Sequence, residues 1–289
     1  MAAVGSRRRQ ALVGWAFILP VLAVFATFVA YPAVSSLYMS FFKWSLVNGA
    51  ERFVSLSNYA RALSDDVFLT SLHNVALFTL SVPGRVALGL ALALLLHRHF
   101  AGRNLARAVY FLPYVTSWVV AATVWKWIYQ PDGLINVVLG FFGIGPVLWL
   151  AEPGLAMPSI ILASIWKTAG FDMVVYLAAL ASVPREYEEA ASIDGASRWQ
   201  IFWRITLPQL TPTTLFLMVV GFIAALQLFA QPYIMTAGGP GRATVAPVMY
   251  IYEHAFKYYD FGYAAAMGYV LFLIILALTL LQFRLFGRE

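Results

Sequence analysis

The chain has 289 residues, of which 62% are hydrophobic, 16% aromatic and only 11% charged. Soluble domains carry about 25% charged residues and disordered chains more, so neither a soluble enzyme nor a disordered chain fits. Zero cysteines exclude disulfides, thiolate metal sites and cysteine nucleophiles, and the net charge of +6 raises a nucleic-acid partner that the placement of the charges must support.

A membrane-spanning helix needs about 20 mostly apolar residues. In chain order, stretches nearly free of Asp, Glu, Lys and Arg predict six spans: 12–36, 70–96 around a single Arg85, 108–125, 156–181 around Lys167 and Asp172, 212–234, and 261–283. The first follows a basic patch, as a signal peptide would, but its apolar run outlasts an h-region, so it reads as an uncleaved span. Residues 133–151 also lack charge. Gly133, Gly140, Gly143, Gly145 and Pro146 interrupt them, so they read as one or two short surface helices, with a seventh span as the alternative.

Basic residues orient the spans. Arg7, Arg8 and Arg9, then Arg98, Arg103 and Arg107, then Arg185, Arg198 and Arg204, and finally Arg284 and Arg288 all fall on one side. The other side holds Lys43, Arg52, Arg61, Arg242 and Lys257. The positive-inside rule places both termini in the cytoplasm. The net charge is thereby a statement of orientation, and no nucleic acid is needed. The first outer loop carries a turn and helix start at Phe53–Tyr59. The last outer loop opens on the turn sequence Thr236-Ala237-Gly238-Gly239-Pro240-Gly241 and continues into Tyr250–Tyr259, an aromatic interface segment.

Catalytic patterns are missing. There is no G-x-x-x-x-G-K-[ST] phosphate loop and no G-x-S-x-G elbow, and His97 and His99 flank Arg98 as interfacial cations rather than metal ligands. No metal constellation or cofactor is expected on this chain.

One cytoplasmic loop is unlike the others. Pro184 and the acids Glu186, Glu188 and Glu189 suit a helix start, and Gly195 suits its end. An amphipathic piece follows from Trp199 to Ile205, closed by Pro208. The spacing E-A-A-x3-G-x9-I-x-L-P is met in full by Glu189-Ala190-Ala191, Gly195, Ile205 and Leu207-Pro208. In this the chain resembles the permease subunits of binding-protein-dependent ABC importers. Asn58-Tyr59, Arg107-Ala108 before Phe111-Leu112-Pro113, Ile193-Asp194-Gly195-Ala196, Thr236-Ala237-Gly238-Gly239-Pro240 and Tyr263-Ala264-Ala265-Ala266 make it similar to the carbohydrate-type subfamily, with its maltose and glycerol-3-phosphate permeases.

The resemblance implies an all-α membrane protein with the type I importer permease fold, in the cytoplasmic membrane of a bacterium or archaeon. Residues 1–66 form the first span and outer loop, and 67–289 form a five-helix core with a coupling loop at 182–211. It implies a second homologous permease subunit, two ATPase subunits that carry ATP and Mg, and an extracytoplasmic solute-binding protein. Glu189, Ala190, Ala191, Asp194, Gly195, Ile205, Leu207 and Pro208 would couple to the ATPase. The solute would be a sugar or oligosaccharide. Glycerol-phosphate esters or polyols share the motifs, and an ion-coupled secondary carrier is the more distant alternative.

A solute path needs polar groups facing a cavity. Ser164, Thr168 and Asp172 recur at i, i+4 and i+8, and Gln227 and Gln231 at i and i+4. Ser164, Thr168 and Gln227 match sugar-lining positions of maltose-type permeases, although the hydroxyls could instead bond their own backbone. Ala230 stands where the subfamily often has an acid. Arg85 lies near the bilayer middle and requires a partner. Asp172 is the candidate, and the alternative is that Arg85 takes a backbone carbonyl while Lys167 takes Asp172.

Overall fold

The computed structural model describes residues 2–45 and 49–286, the backbone alone for 2–12, 185 and 285–286. Arg288 of the cytoplasmic count lies outside them. The chain forms two compact units, Met1–Ser64 with Ile251–Val270, and Asp65–Tyr250 with Leu271–Glu289.

In the first unit a long helix covers Ala2–Phe25, widens into a π turn over Ala26–Ala30 and continues through Tyr31–Ser40. The π turn ends two residues before Pro32. Proline has no N–H and its ring clashes with the carbonyl four residues back, and a wider turn relieves both. Its large apolar side chains from Val13 to Tyr38 stay exposed, 79% for Phe17 and 74% for Phe28, as suits a surface covered by lipid or a partner subunit. A short hairpin that sequence periodicity did not announce follows, pairing Phe42–Ser45 with Gly49–Phe53, with Phe42 opposite Phe53.

The helix Ser57–Ser64 locks this loop to the span. Asn58 Nδ2 donates to the Ser40 and Phe42 carbonyls at 2.9 and 3.0 Å, and the Tyr59 hydroxyl meets Ser40 Oγ at 2.6 Å. Arg61 pairs with Asp260 at 2.9 Å and lies 3.7 Å over the fully buried ring of Tyr263. The Asn58-Tyr59 and Tyr263-Ala264-Ala265-Ala266 motifs, far apart in sequence, thus serve one small assembly.

The second unit holds the hydrophobic core, built around Phe78, Val82, Ile160, Met173, Tyr176 and Leu217. Its second span runs Asp66–His97, started by Asp65, whose carboxylate accepts from the Val67 and Phe68 amides at 2.8 and 3.1 Å. The fourth span is Pro153–Ser182. The fourth span meets its neighbours through glycine: a Cβ at Gly89 of the second span would strike Asp172, and one at Gly170 would overlap the carbonyl of Tyr110 in the third. Gly133–Ala151 is no seventh span, because only Leu134–Gly140 is helical. Buried Asn136 gathers that segment, donating to the Gln130 and Val147 carbonyls and accepting from the Val147 amide and the Trp149 indole, all at 3.0–3.1 Å.

Two spans differ from the straight helices expected. The third is Arg103–Val115 and Trp118–Ile128, bent by 99°, and the fifth is entered from Arg198–Gln209 through a 59° bend into Thr211–Leu226. The second bend has a clear cause, since Pro208 and Pro212 both lack the N–H that would continue the ladder. Beyond Leu226 the fifth helix does not reach 234. It breaks at Gln227–Phe229 and restarts as Ala230–Met235. The last helix runs Phe261–Phe286.

The glycine contacts are testable. Gly170→Val should destabilise the protein by about 1–3 kcal/mol through overpacking against backbone. Gly14→Ala, where a Cβ meets nothing within 4 Å, should leave the melting temperature in detergent unchanged.

Candidate functional site

The bend in the third span is where the fourth span's only lysine goes. Helix Arg103–Val115 contains Pro113 and ends at Thr116, whose backbone turns extended. Ser117 then caps the next helix, its Oγ accepting from the Val120 amide at 3.2 Å. Ending a helix in an apolar layer orphans carbonyls that water cannot reach. Lys167, 3% exposed, supplies their donor: Nζ reaches the carbonyls of Pro113, Tyr114 and Thr116 at 3.0, 3.1 and 2.7 Å. The ammonium also sits 4.8 Å over the Trp118 ring. A cation at a helix C-terminus is favoured by the macrodipole, and here it uses all three of its protons.

Asp172 lies five residues beyond Lys167, about 140° around the helix, so the two side chains leave on different faces. Asp172 is fully buried and meets Arg85, Nε to Oδ2 at 3.3 Å. Arg85 Nη2 also approaches the Leu217 carbonyl at 3.4 Å. Gly221 admits the guanidinium, since a Cβ there would stand 2.7 Å from Nη2. The pair therefore joins the second, fourth and fifth spans. The alternative in which Lys167 neutralises Asp172 is not the arrangement found.

The remaining polar residues separate. Ser164 Oγ donates to the Ile160 carbonyl at 2.8 Å and Thr168 Oγ1 to the Ser164 carbonyl at 2.7 Å, so each hydroxyl proton is spent on its own helix. Their oxygens keep lone pairs for an acceptor role. Gln227 and Gln231 do not share a helical face, because the helix breaks between them. Gln227 is exposed at the end of Thr211–Leu226, whereas Gln231 is buried.

The cytoplasmic elbow is ordered by its own hydrogen bonds. Helix Arg185–Ile193 begins after Pro184 with Glu186 and Glu188 in its first turn. It ends in a Schellman closure: the Gly195 amide donates to the Ser192 carbonyl at 3.1 Å and the Ala196 amide to the Ala191 carbonyl at 2.9 Å. Gly195 sits at φ +80°, which a side chain would disfavour. Ser197 and Gln200 form a capping box that starts Arg198–Ile201. A π turn over Phe202–Thr206 again ends two residues before a proline, Pro208, and carries the elbow into the fifth span. Thr206 Oγ1 donates to Glu188 at 3.3 Å, which ties the two arms together. Glu189, Ala190, Asp194 and Pro208 are exposed, and Ala191, Ile205 and Leu207 are half-buried.

Residues 85–288 match the family of the binding-protein-dependent transport system inner membrane component. The chain belongs to this family. It is 35% identical over 285 residues to the trehalose/maltose transport system permease protein MalF of Thermococcus litoralis, covering 97% of this chain and 95% of that one. It is 36% identical over 279 residues to the lactose transport system permease protein LacF of Rhizobium radiobacter, covering 93% of this chain and 92% of that one. Its fold is similar to a chain in the crystal structure of a bacterial alginate ABC transporter in complex with an alginate pentasaccharide-bound periplasmic protein. The TM-score is 0.84 at 25% identity, over 96% of this chain and 94% of that one.

As a membrane component of this family, the chain holds its type I permease fold by the polar contacts above. The role of Lys167 is the feature that sequence reading missed. Its signal was Pro113 followed by Thr116-Ser117, a helix end and a fresh cap within a predicted span.

Lys167→Met should destabilise the protein by about 1–3 kcal/mol for each carbonyl left without a donor, read as a lower melting temperature in detergent. Asp172→Asn should cost about 3–5 kcal/mol by stranding the arginine, and the double variant Arg85→Met/Asp172→Asn should be less damaged than either single change. A double-mutant cycle on thermal stability measures this.

Proposed function

We propose that this chain is the permease subunit of an ATP-driven importer for a sugar or oligosaccharide. It works without catalytic activity of its own, in a bacterial or archaeal cytoplasmic membrane. A second, homologous permease completes the pore, an extracytoplasmic binding protein delivers solute, and two ATPase subunits with ATP and Mg drive the cycle.

The observation that carries this reading is the elbow. Four large apolar side chains stand in the open there: Tyr187 is 54% exposed, Ile193 86%, Trp199 69% and Trp203 50%. They flank the Glu189-Ala190-Ala191 segment, and a protein partner seated there would cover them. Ala190 and Ala191 permit close approach, Glu189 offers a carboxylate to a basic group, and Asp194, Gly195, Ile205, Leu207 and Pro208 fix the turn and its entry into the fifth span. Carbohydrate as solute is supported by relatives named for trehalose/maltose, lactose and alginate. Ser164, Thr168, Gln227 and Gln231 are proposed for the solute path, since neutral hydrogen-bonding groups suit a sugar.

In proteoliposomes holding the complete importer, Glu189→Gln should lower both uptake and the stimulation of ATP hydrolysis by loaded binding protein. Gly195→Val should do the same, because its left-handed backbone costs a branched residue about 1–2 kcal/mol. Uptake should survive collapse of the ion gradients and stop without ATP. Normal coupling in both variants would remove the elbow from the mechanism, and uptake that tracks a gradient would make the protein a secondary carrier.

A further inference from the structure

The cytoplasmic ends of the second and fourth spans and the start of the third enclose a cavity of about 780 Å³, bordered by Glu189 of the proposed ATPase contact. Its lining carries both signs of charge. Arg98, Arg103 and Arg107 line it, with His97 and His99 beside them, and so do Glu188 and Glu189 of the elbow. Yet among the described residues no ion pair joins any of these arginines to either glutamate. A site that keeps opposite charges apart across several hundred Å³ suits a ligand that itself carries both.

The arginines are poorly satisfied by the protein. Arg107 Nη2 donates to the Leu96 carbonyl at 2.8 Å, but its Nε is buried without a hydrogen-bond partner. Among the described residues Arg103 reaches the His97 carbonyl alone, at 3.5 Å. Arg103 also opens its helix, which has no acid in the first turn and no capping side chain, so cationic side chains crowd a positive helix end. An oxyanion there would relieve that repulsion. The rest of the lining is apolar, and two of its residues, Ala178 and Ala181, are exposed on the cytoplasmic end of the fourth span. Small exposed residues there leave room for the glycerol end of a lipid, and basic pockets between spans on this side hold the phosphates of lipid headgroups.

We propose that this cavity binds the headgroup of a zwitterionic aminophospholipid, with its phosphate on Arg98 and Arg103 and its ammonium on Glu188. The lipid would then bridge the turn after the second span and the elbow. Membrane composition would thereby act on the segment proposed to meet the ATPase.

The test uses the full-length permease in detergent, with retained lipid counted by native mass spectrometry. Phosphatidylethanolamine should be retained in preference to phosphatidylcholine, whose trimethylated nitrogen donates no hydrogen bond, and to phosphatidylglycerol, which has no cation for Glu188. Arg98→Gln and Arg103→Gln should each weaken retention about fivefold, with the lipid-free melting temperature reporting that the fold is intact. Glu188→Gln should erase the preference over phosphatidylglycerol while lipid is still bound. Equal retention of the three lipids, or unchanged retention in both arginine variants, overturns the proposal. Release of the lipid by inorganic phosphate alone would reassign the cavity to a free anion, and its release on adding the ATPase subunits would reassign it to them. None of these readouts depends on transport, so their failure leaves the proposed import function standing.

Discussion

A peptide carbonyl inside a hydrocarbon layer has no water to turn to, and the ammonium of Lys167 answers that need for three of them at once. This donor satisfies the carbonyls left open where the third span ends at Val115 and restarts at Trp118. The bend then lays Arg103–Val115 along the fourth span, where Gly170 lets the backbone of Tyr110 approach. A charge that would be costly to bury alone is thereby converted into a structural pin, because its desolvation is offset by three short, charge-assisted hydrogen bonds and an aromatic face.

The same accounting explains why the other buried charges sit where they do. Arg85 and Asp172 neutralise one another on the opposite side of the fourth span, and glycines at 89 and 221 make the space. Replacement of such a pair by apolar residues is often neutral, so its presence argues for specificity of helix register more than for stability. Close packing through small residues follows the rule for membrane interiors, where lipid is as apolar as leucine and shape decides association.

At the cytoplasmic side the physics reverses. Water is present, charge is cheap, and it is exposed tryptophan and isoleucine that need explanation. The elbow stays rigid through local devices: an acidic first turn, a Schellman closure at Gly195, a capping box at Ser197 and a π turn before Pro208. These bonds lie within about 25 residues of chain, so the elbow is ordered locally up to the bend at which the fifth span begins.

The local devices were legible in the sequence. The four unbroken spans, the helix that Gly195 ends and the short helix in 133–151 each follow from hydropathy or turn chemistry over a few neighbouring residues. The carboxylate partner of Arg85 was also legible, since Asp172 is the only acid in a predicted span. The bend at Thr116-Ser117, the hairpin at 42–53, the break after Leu226 and the separation of Gln227 from Gln231 were not. Two of them depend on where another group satisfies backbone carbonyls: Lys167 at the bend of the third span, Asn58 at the hairpin that follows the first. Hydropathy measures whether a segment prefers lipid to water. Whether the third span stays straight is decided by a donor more than fifty residues away in the chain, Lys167, and only the folded protein brings the two together.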